Sequence, residues 1–474
     1  MFKNRKIIRV LFSALISLIV LIFVFQSPLK VIVRDNIPEK VYLRLSWVKN
    51  ILTGKDFGFY KYEIKLKDQY KDIASFINNN DYVFSVNLSK KNNLNHFELP
   101  PFFPGIGFDE VNTAYIDFYK QNLFYVTKNG MFFLVDLNDN ELNFNPVKTN
   151  ISSFLNEEFI EKNASINYFN SYTISKFGIK DILIDNDQIY VSYLSRGEDN
   201  SYNTSIIKSQ ISDSLTFENF FSPKNFISSK IKEFSPVQSG GRITSYKKDS
   251  LLFSMGDFRE RSSAQNLNLD NGKIIAINKK DGKSRIVSYG HRNPQGLDYS
   301  KKYNYILSSE HGPAGGDEIN FNNKTDETQN FGWPIASYGI HYSIENAKTD
   351  AHGGDESRII KGAPIYKSHK DYGFVEPIKY FKKNPAVSEV KLIKEKKESF
   401  EFFLSTLGND QSERPLAKHL IHYRYDLIED SIEIIRKYNV GERIRDISFN
   451  SNLNRIYYVG ESTGILGYIN LKSN

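Results

Sequence analysis

Gln295-Gly-Leu-Asp-Tyr-Ser-Lys-Lys-Tyr-Asn-Tyr-Ile-Leu-Ser-Ser-Glu-His-Gly312 contains two short β-rich runs, joined by a polar turn and closed by a glycine-bearing loop. The same grammar recurs at Ala114–Gly130, Lys180–Gly197, Gly241–Asp257, Val387–Gly408 and Arg445–Gly464. The starts fall about every 55–65 residues, with one longer gap before Val387. Four strands plus loops fill that spacing. The pattern therefore predicts an all-β fold, a six-bladed β-propeller of four-stranded antiparallel blades. An unrelated array of β-sandwiches explains the strands but not their spacing. Residues 35–110 fit the pattern poorly, 341–370 reads as a long polar loop, and Asn409–Lys418 as a short insertion.

Composition agrees with a sheet-rich globular body. The 474 residues include 36 Phe and 29 Tyr, residues that pack well on pleated surfaces. The chain has no Cys, which excludes disulfides, thiolate metal sites and Cys nucleophiles. Of the formal charge of +7, six units come from Lys3, Arg5, Lys6, Arg9, Lys30 and Arg34, with no acid before residue 35. The remaining +1 makes no electrostatic case for nucleic acid.

From Ile7 to Phe25 the chain is apolar apart from Arg9, Ser13 and Ser17. Such a helix rises about 1.5 Å per residue and nearly crosses a hydrocarbon core of about 30 Å. Basic residues precede it, so residues 1–34 are expected to form a basic cytoplasmic tip and a transmembrane helix. Residues 35–474, the propeller, would then stand in the periplasm, on a single pass of a bacterial inner membrane. A cleaved signal is the alternative, although no small-x-small site follows Phe25.

Three loops carry chemistry: Tyr289–Leu297, Glu310–Glu318 and Asn330–Pro334. Their Gly and Pro residues fix sharp turns and leave amides and carbonyls for ligands. In a propeller, loops after equivalent strands share one face. Arg292 offers a planar fork of donors to anionic oxygens, and Arg443 and Arg445, two apart, share one side of a strand. Pairing of these arginines with Glu442 and Asp446 is the competing reading. Carbonyls of Gly312 and Pro313 with the carboxylates of Asp317 and Glu318 suit a hard cation such as Ca²⁺, or else the acids cap local turns. The other histidines, His369 among them, have no metal-ligand spacing and read mostly as surface or packing residues.

Several words stand in order: S-G-G-R-I from Ser239, G-D-x-R from Gly256, G-K-I-I-A-I-N from Gly272, Y-G-H-R-N-P-Q-G-L from Tyr289, E-H-G-P-x-G-G-D-E-I-N from Glu310, N-F-G-W-P from Asn330 and G-E-R-I-R-D from Gly441. Together they resemble the pyrroloquinoline quinone (PQQ)-dependent soluble aldose dehydrogenases, the glucose/sorbosone dehydrogenase family. The resemblance covers about a quarter of the chain closely. It implies that Arg292 and Asn293 contact PQQ and the reacting region, and that Arg443 and Arg445 bind the PQQ carboxylates. It implies that the Gly312 and Pro313 carbonyls hold the Ca²⁺ that polarises PQQ, and that Glu318 and the Phe331 carbonyl belong to a second, structural calcium site. The family's substrate is a sugar or related alcohol, and its reaction passes hydride to PQQ while a His takes the hydroxyl proton. The anchor would place the body near a respiratory electron acceptor.

The chain departs from that pattern where the catalytic His belongs: the word reads Gln238-Ser-Gly-Gly-Arg242. A neutral amide is no general base. A family Lys also falls on Ser405-Thr-Leu-Gly408, with Lys418 nearby in the insertion. His291 is the candidate substitute base, or else shapes the loop that carries Arg292. Three readings stay open: an oxidoreductase with altered base chemistry, a propeller that binds a ligand or protein without catalysis, and a lactonase-type hydrolase.

Overall fold

The structure, a computed structural model, describes residues 83–92, 94–99, 113–155, 178–231, 234–340, 365–366, 368–408, 411–461 and 465–471. The anchor reading of residues 1–34 and most of the long polar loop lie outside these. Among the described residues no helix is long and apolar enough to cross a membrane.

The fold is all-β, and among the described residues the helical segments, such as Ile151–Ser153 and Arg261–Gln265, are short 3₁₀ turns. Consecutive strands form antiparallel meanders over 114–149, 179–221, 240–289, 294–381 and 387–439. Each predicted hairpin supplies the first two strands of one of these, or of the last group, 444–470. That group is completed from the other end of the chain: Ile465–Asn470 pairs with Leu94–Glu98, with Phe97 opposite Leu466. Phe84–Lys91 pairs in turn with both Leu94–Glu98 and Glu141–Thr149, which gives one ten-stranded sheet.

The first strands are Ala114–Tyr119, Ile179–Asp185, Gly240–Tyr246, Pro294–Ser300, Val387–Glu395 and Ile444–Asn450. Each neighbours the next, and the last returns to the first. Apolar side chains pack between adjacent sheets. Tyr190 and Ile206 meet Ile243, Phe253 and Ile275, and Leu307 and Ile319 meet Val390, Phe402 and Tyr423.

The middle of the ring is polar, because first strands that meet only at an angle leave amides without ladder partners. Carboxylates satisfy them. Asp446 accepts from Ile116 N at 2.7 Å, Asp117 from Ile184 N at 2.7 Å, and Asp181 from Ile243 N at 2.8 Å. Glu389 accepts from Leu297 N at 3.0 Å and Asp298 from Leu392 N at 2.9 Å. Arg242, 2% exposed, gathers three of these acids. Its guanidinium lies 3.0 Å from Asp181, 2.8 Å from Glu389 and 2.8 Å from Asp446. It also donates to the carbonyls of Gln295 and Arg445 and lies over the Tyr115 ring.

Replacing Arg242 by Met would strand three buried carboxylates. Removal of one partner of a buried ion pair costs about 3–5 kcal/mol. Denaturant unfolding of Arg242→Met should show a loss of that order, and a loss below about 1 kcal/mol contradicts this role. Asp117 yields a pH prediction. Burial pushes its carboxyl up to about 6, against Lys391 and two backbone amides. A raised folded pKa means that the group's contribution is full below the unfolded value near 4 and fades as pH rises through 6. The difference in unfolding midpoint between wild type and Asp117→Asn should therefore shrink from pH 4 to pH 7.

Candidate functional site

A cavity of about 410 Å³ opens where the loops of several meanders meet. Gln238, Arg292, Asn293, Arg443 and Arg445, drawn from three distant segments, all line it. So do Lys128, Lys180, Arg259 and His311, which the sequence reading did not select. No carboxylate is among its described lining residues.

The arginines are held from behind. Glu461, fully buried, gives one carboxylate oxygen to Arg443 Nε at 2.6 Å and the other to Arg445 Nε at 2.7 Å. Arg443 also donates to the Leu407 carbonyl and Arg445 to Gln295 Oε1. The competing reading, that these arginines pair with acids, is met by a different acid, Glu461. Asp446 faces Arg242 instead, and the acid that orients the pair comes from the end of the following strand. Arg292 donates to the His311 carbonyl at 2.8 Å and lies 5.4 Å from the Trp333 ring. Its backbone amide donates to Glu310 at 2.7 Å. Asn293 Oδ1 accepts from Gly240 N and Gln295 Nε2, which ties the two loops together.

Gln238, 6% exposed, is locked among charges. With its amide oriented to suit its neighbours, its oxygen accepts from Arg292 Nη2 at 2.9 Å and Arg259 Nε at 3.1 Å, and its nitrogen donates to Asp257 Oδ1 at 3.1 Å. Asp257 also accepts from Trp333 Nε1 at 2.8 Å and Arg259 N at 2.8 Å. Burial pushes its carboxyl above the usual range, although Arg292 opposes this. Gly256 sets the approach: a Cβ there would stand 2.2 Å from the Gln238 carbonyl oxygen.

His291 is no base for this cavity. It is fully buried, with Nδ1 3.0 Å from Glu310 and Nε2 2.8 Å from Ser288, and it stacks on Phe331. It shapes the Arg292 loop. Burial works against ionisation of Glu310, but His291 and the Arg292 amide hold its carboxyl below the usual range. His311 is the imidazole on the cavity wall. Its Nε2 faces the Val387 carbonyl at 2.5 Å. Burial lowers its pKa to about 3, and Arg292, Arg445 and Arg443 deepen the effect. Lys418 does not line the cavity; Leu407, in the word where the family Lys was sought, does.

The proposed calcium ligands are differently engaged. The Pro313 carbonyl accepts from Asn384 Nδ2 at 2.7 Å and from Gly316 N at 2.9 Å. Gly312 N donates to Asp317, which also takes the amides of Ala386 and Val387. Glu318, 5% exposed, and the Phe331 carbonyl both face His369, which is buried rather than superficial. Burial pushes the Glu318 carboxyl well up, and Glu310 and Asp317 add to the push. Among the described residues no three His, Cys, Asp or Glu side chains are grouped to hold a metal.

The family model described as Glucose / Sorbosone dehydrogenase matches residues 163–466. Aldose sugar dehydrogenase YliI of Escherichia coli (strain K12) is 30% identical over 232 residues, 44% of this chain and 56% of that protein. Quinoprotein glucose dehydrogenase B of Acinetobacter calcoaceticus is 36% identical over 130 residues, 23% of this chain and 26% of that protein. The chain thus spans little more than half of the first relative and about a quarter of the second. Among solved structures, the soluble aldose sugar dehydrogenase from Escherichia coli in the apo-form aligns with a TM-score of 0.56 at 20% identity, over 82% of this chain and all of that one. A glucose dehydrogenase aligns with a TM-score of 0.55 at 20% identity, over 82% of this chain and all of that one. Likeness at that identity concerns the fold.

The contact at Gly256 yields a test. Gly256→Ala should displace Gln238 and loosen its bonds to Arg292 and Asp257, with destabilisation of about 1–3 kcal/mol. An unchanged unfolding midpoint would show that Gln238 is not pinned by this approach.

Proposed function

The chain belongs to the glucose/sorbosone dehydrogenase family, and from that premise we propose that its cavity receives PQQ and that it oxidises a sugar or related alcohol on a six-bladed propeller. In this reading residues 1–34 anchor it in the bacterial inner membrane. The body, residues 35–474, stands in the periplasm and passes electrons to a respiratory acceptor.

The observation that carries the reading is the wall charge. Arg292, Arg443 and Arg445 converge on one cavity with Lys128, Lys180 and Arg259, and no described carboxylate lines it. Such a wall suits a planar ligand with several carboxylates, as PQQ is, because guanidinium forks match carboxylates bidentately. Glu461 fixes both forks in advance, which lowers the ordering cost of binding. A quinoprotein glucose dehydrogenase is also among the relatives. When bound, PQQ supplies an electrophilic quinone that accepts hydride from the alcohol carbon. The chain's part is to seat it, to place donors where negative charge develops, and to receive the hydroxyl proton.

Receiving the proton is where this chain is altered. The Gln238 amide has no basic lone pair, and its oxygen is already engaged by two guanidinium donors. Asp257 is the carboxylate within hydrogen-bond reach, but Gln238 stands in contact with it on the cavity side. That arrangement favours the second reading, a propeller of this family that binds a ligand or protein without turnover. Calcium fits less well than PQQ. Gly312 and Pro313 are the residues whose carbonyls would hold it, yet the Pro313 carbonyl already accepts two N–H donors. No step is assigned to that ion.

The test uses the full chain with PQQ, with and without calcium, in a dye-reduction assay against a panel of aldoses. The proposal expects PQQ binding at micromolar concentration that weakens at least about tenfold in Arg443→Ala/Arg445→Ala. Absence of PQQ binding overturns it. Binding without turnover, joined by turnover in Gln238→His, selects the second reading, since a general base is worth roughly 10²–10⁴-fold.

A further inference from the structure

The corner formed by Glu318, the Phe331 carbonyl and His369 lies outside the cavity described above. His369 is 1% exposed and enters on the loop before the turn Lys370–Tyr372. Its Nδ1 lies 3.0 Å from the Phe331 carbonyl oxygen. A carbonyl only accepts, so Nδ1 donates to it, whereas Nε2 stands 3.6 Å from Glu318 Oε1, beyond hydrogen-bond reach, and has no hydrogen-bond partner among the described residues. The ring thus stands between the two oxygens that the family resemblance would give to one calcium ion.

Calcium gathers six to eight oxygens at about 2.3–2.6 Å. With a whole imidazole between them, Glu318 and the Phe331 carbonyl cannot both touch one ion. A third oxygen source is also committed: Glu310 binds His291 and Asn320 through Oε1 and the Arg292 amide through Oε2.

The seat is built for the ring. Tyr338 stacks on it, with centroids 5.6 Å apart and planes 17° from parallel. Gly332 faces Nδ1, where a Cβ would come within 3.2 Å, and adopts φ +93°. The loop is fixed on the C-terminal side of the ring. The His369 carbonyl accepts from Tyr372 N and Phe374 N, and Val375 N donates to the Asn330 carbonyl at 2.8 Å.

We infer that the imidazole of His369 occupies the place of a structural cation, bonded to the Phe331 carbonyl and standing between it and Glu318, so that this corner is held without a metal. The ring lies between strand Asp317–Asn322, which follows the Glu310 loop, and the Asn330–Pro334 segment that supports Asp257 and Arg292 through Trp333.

The experiment is thermal unfolding of the full chain, without PQQ or substrate, in EGTA, in millimolar calcium and in equimolar zinc. A failed cofactor assay therefore leaves it standing. The wild-type midpoint is expected to agree within about 1 °C across the three conditions, since a site that binds no ion gains no linkage stabilisation. His369→Ala is expected to lower the midpoint in EGTA by about 2 °C or more. If that variant does not fold, His369→Asn, which keeps a donor for the Phe331 carbonyl, is read the same way. The inference is overturned if EGTA lowers the wild-type midpoint, or calcium or zinc raises it, and Glu318→Gln abolishes the response. It is also overturned if both His369 variants keep the wild-type midpoint in EGTA.

Discussion

The described first strands are arranged around one guanidinium group. Arg242 lies on one first strand and touches each of the other five: Tyr115, Asp181, Gln295, Glu389, and Asp446 with the Arg445 carbonyl. Its acids in turn accept amides from neighbouring strands. A ring of sheets has no apolar centre to collapse onto, because apolar faces are used between adjacent sheets. What remains in the middle is backbone polarity, which must be satisfied or paid for in desolvation. The cavity sits directly beside this network, so Arg445 serves both: its carbonyl binds Arg242 and its side chain lines the wall.

The hairpins were legible because alternation and turn chemistry are local. Each of the six predicted hairpins became a pair of adjacent strands. The gathering of Gln238, Arg292, Asn293, Arg443 and Arg445 was legible from the loop words. What was hidden is what depends on distance. Glu461 has no pattern that links it to Arg443 and Arg445, and Lys128 and Lys180 sit in plain hairpin sequence. One signal was available and unused: an acid recurs in the first strand of five hairpins, as Asp117, Asp181, Asp298, Glu389 and Asp446, and all five bind the amide of a neighbouring strand. His369 had no such signal, because nothing in its local sequence marks the loop that buries it.

Gln238 and His369 have a common character. At each position, a side chain with several hydrogen-bond options stands where the family resemblance placed a more specialised group. Gln238 answers two guanidinium groups and a carboxylate at once. His369 reaches a carbonyl on one side and faces a carboxylate on the other. Each is well fitted to holding structure.

The pairing of Leu94–Glu98 with Ile465–Asn470 sets a clock on synthesis. Strand Leu94–Glu98 waits for a partner at Ile465–Asn470, so the ring cannot shut on a ribosome-bound chain that stops short of residue 465. Until then, both lips of the seam present unpaired backbone groups, the kind of edge that recruits foreign strands. A chain cut short before residue 465 would leave that edge open for good.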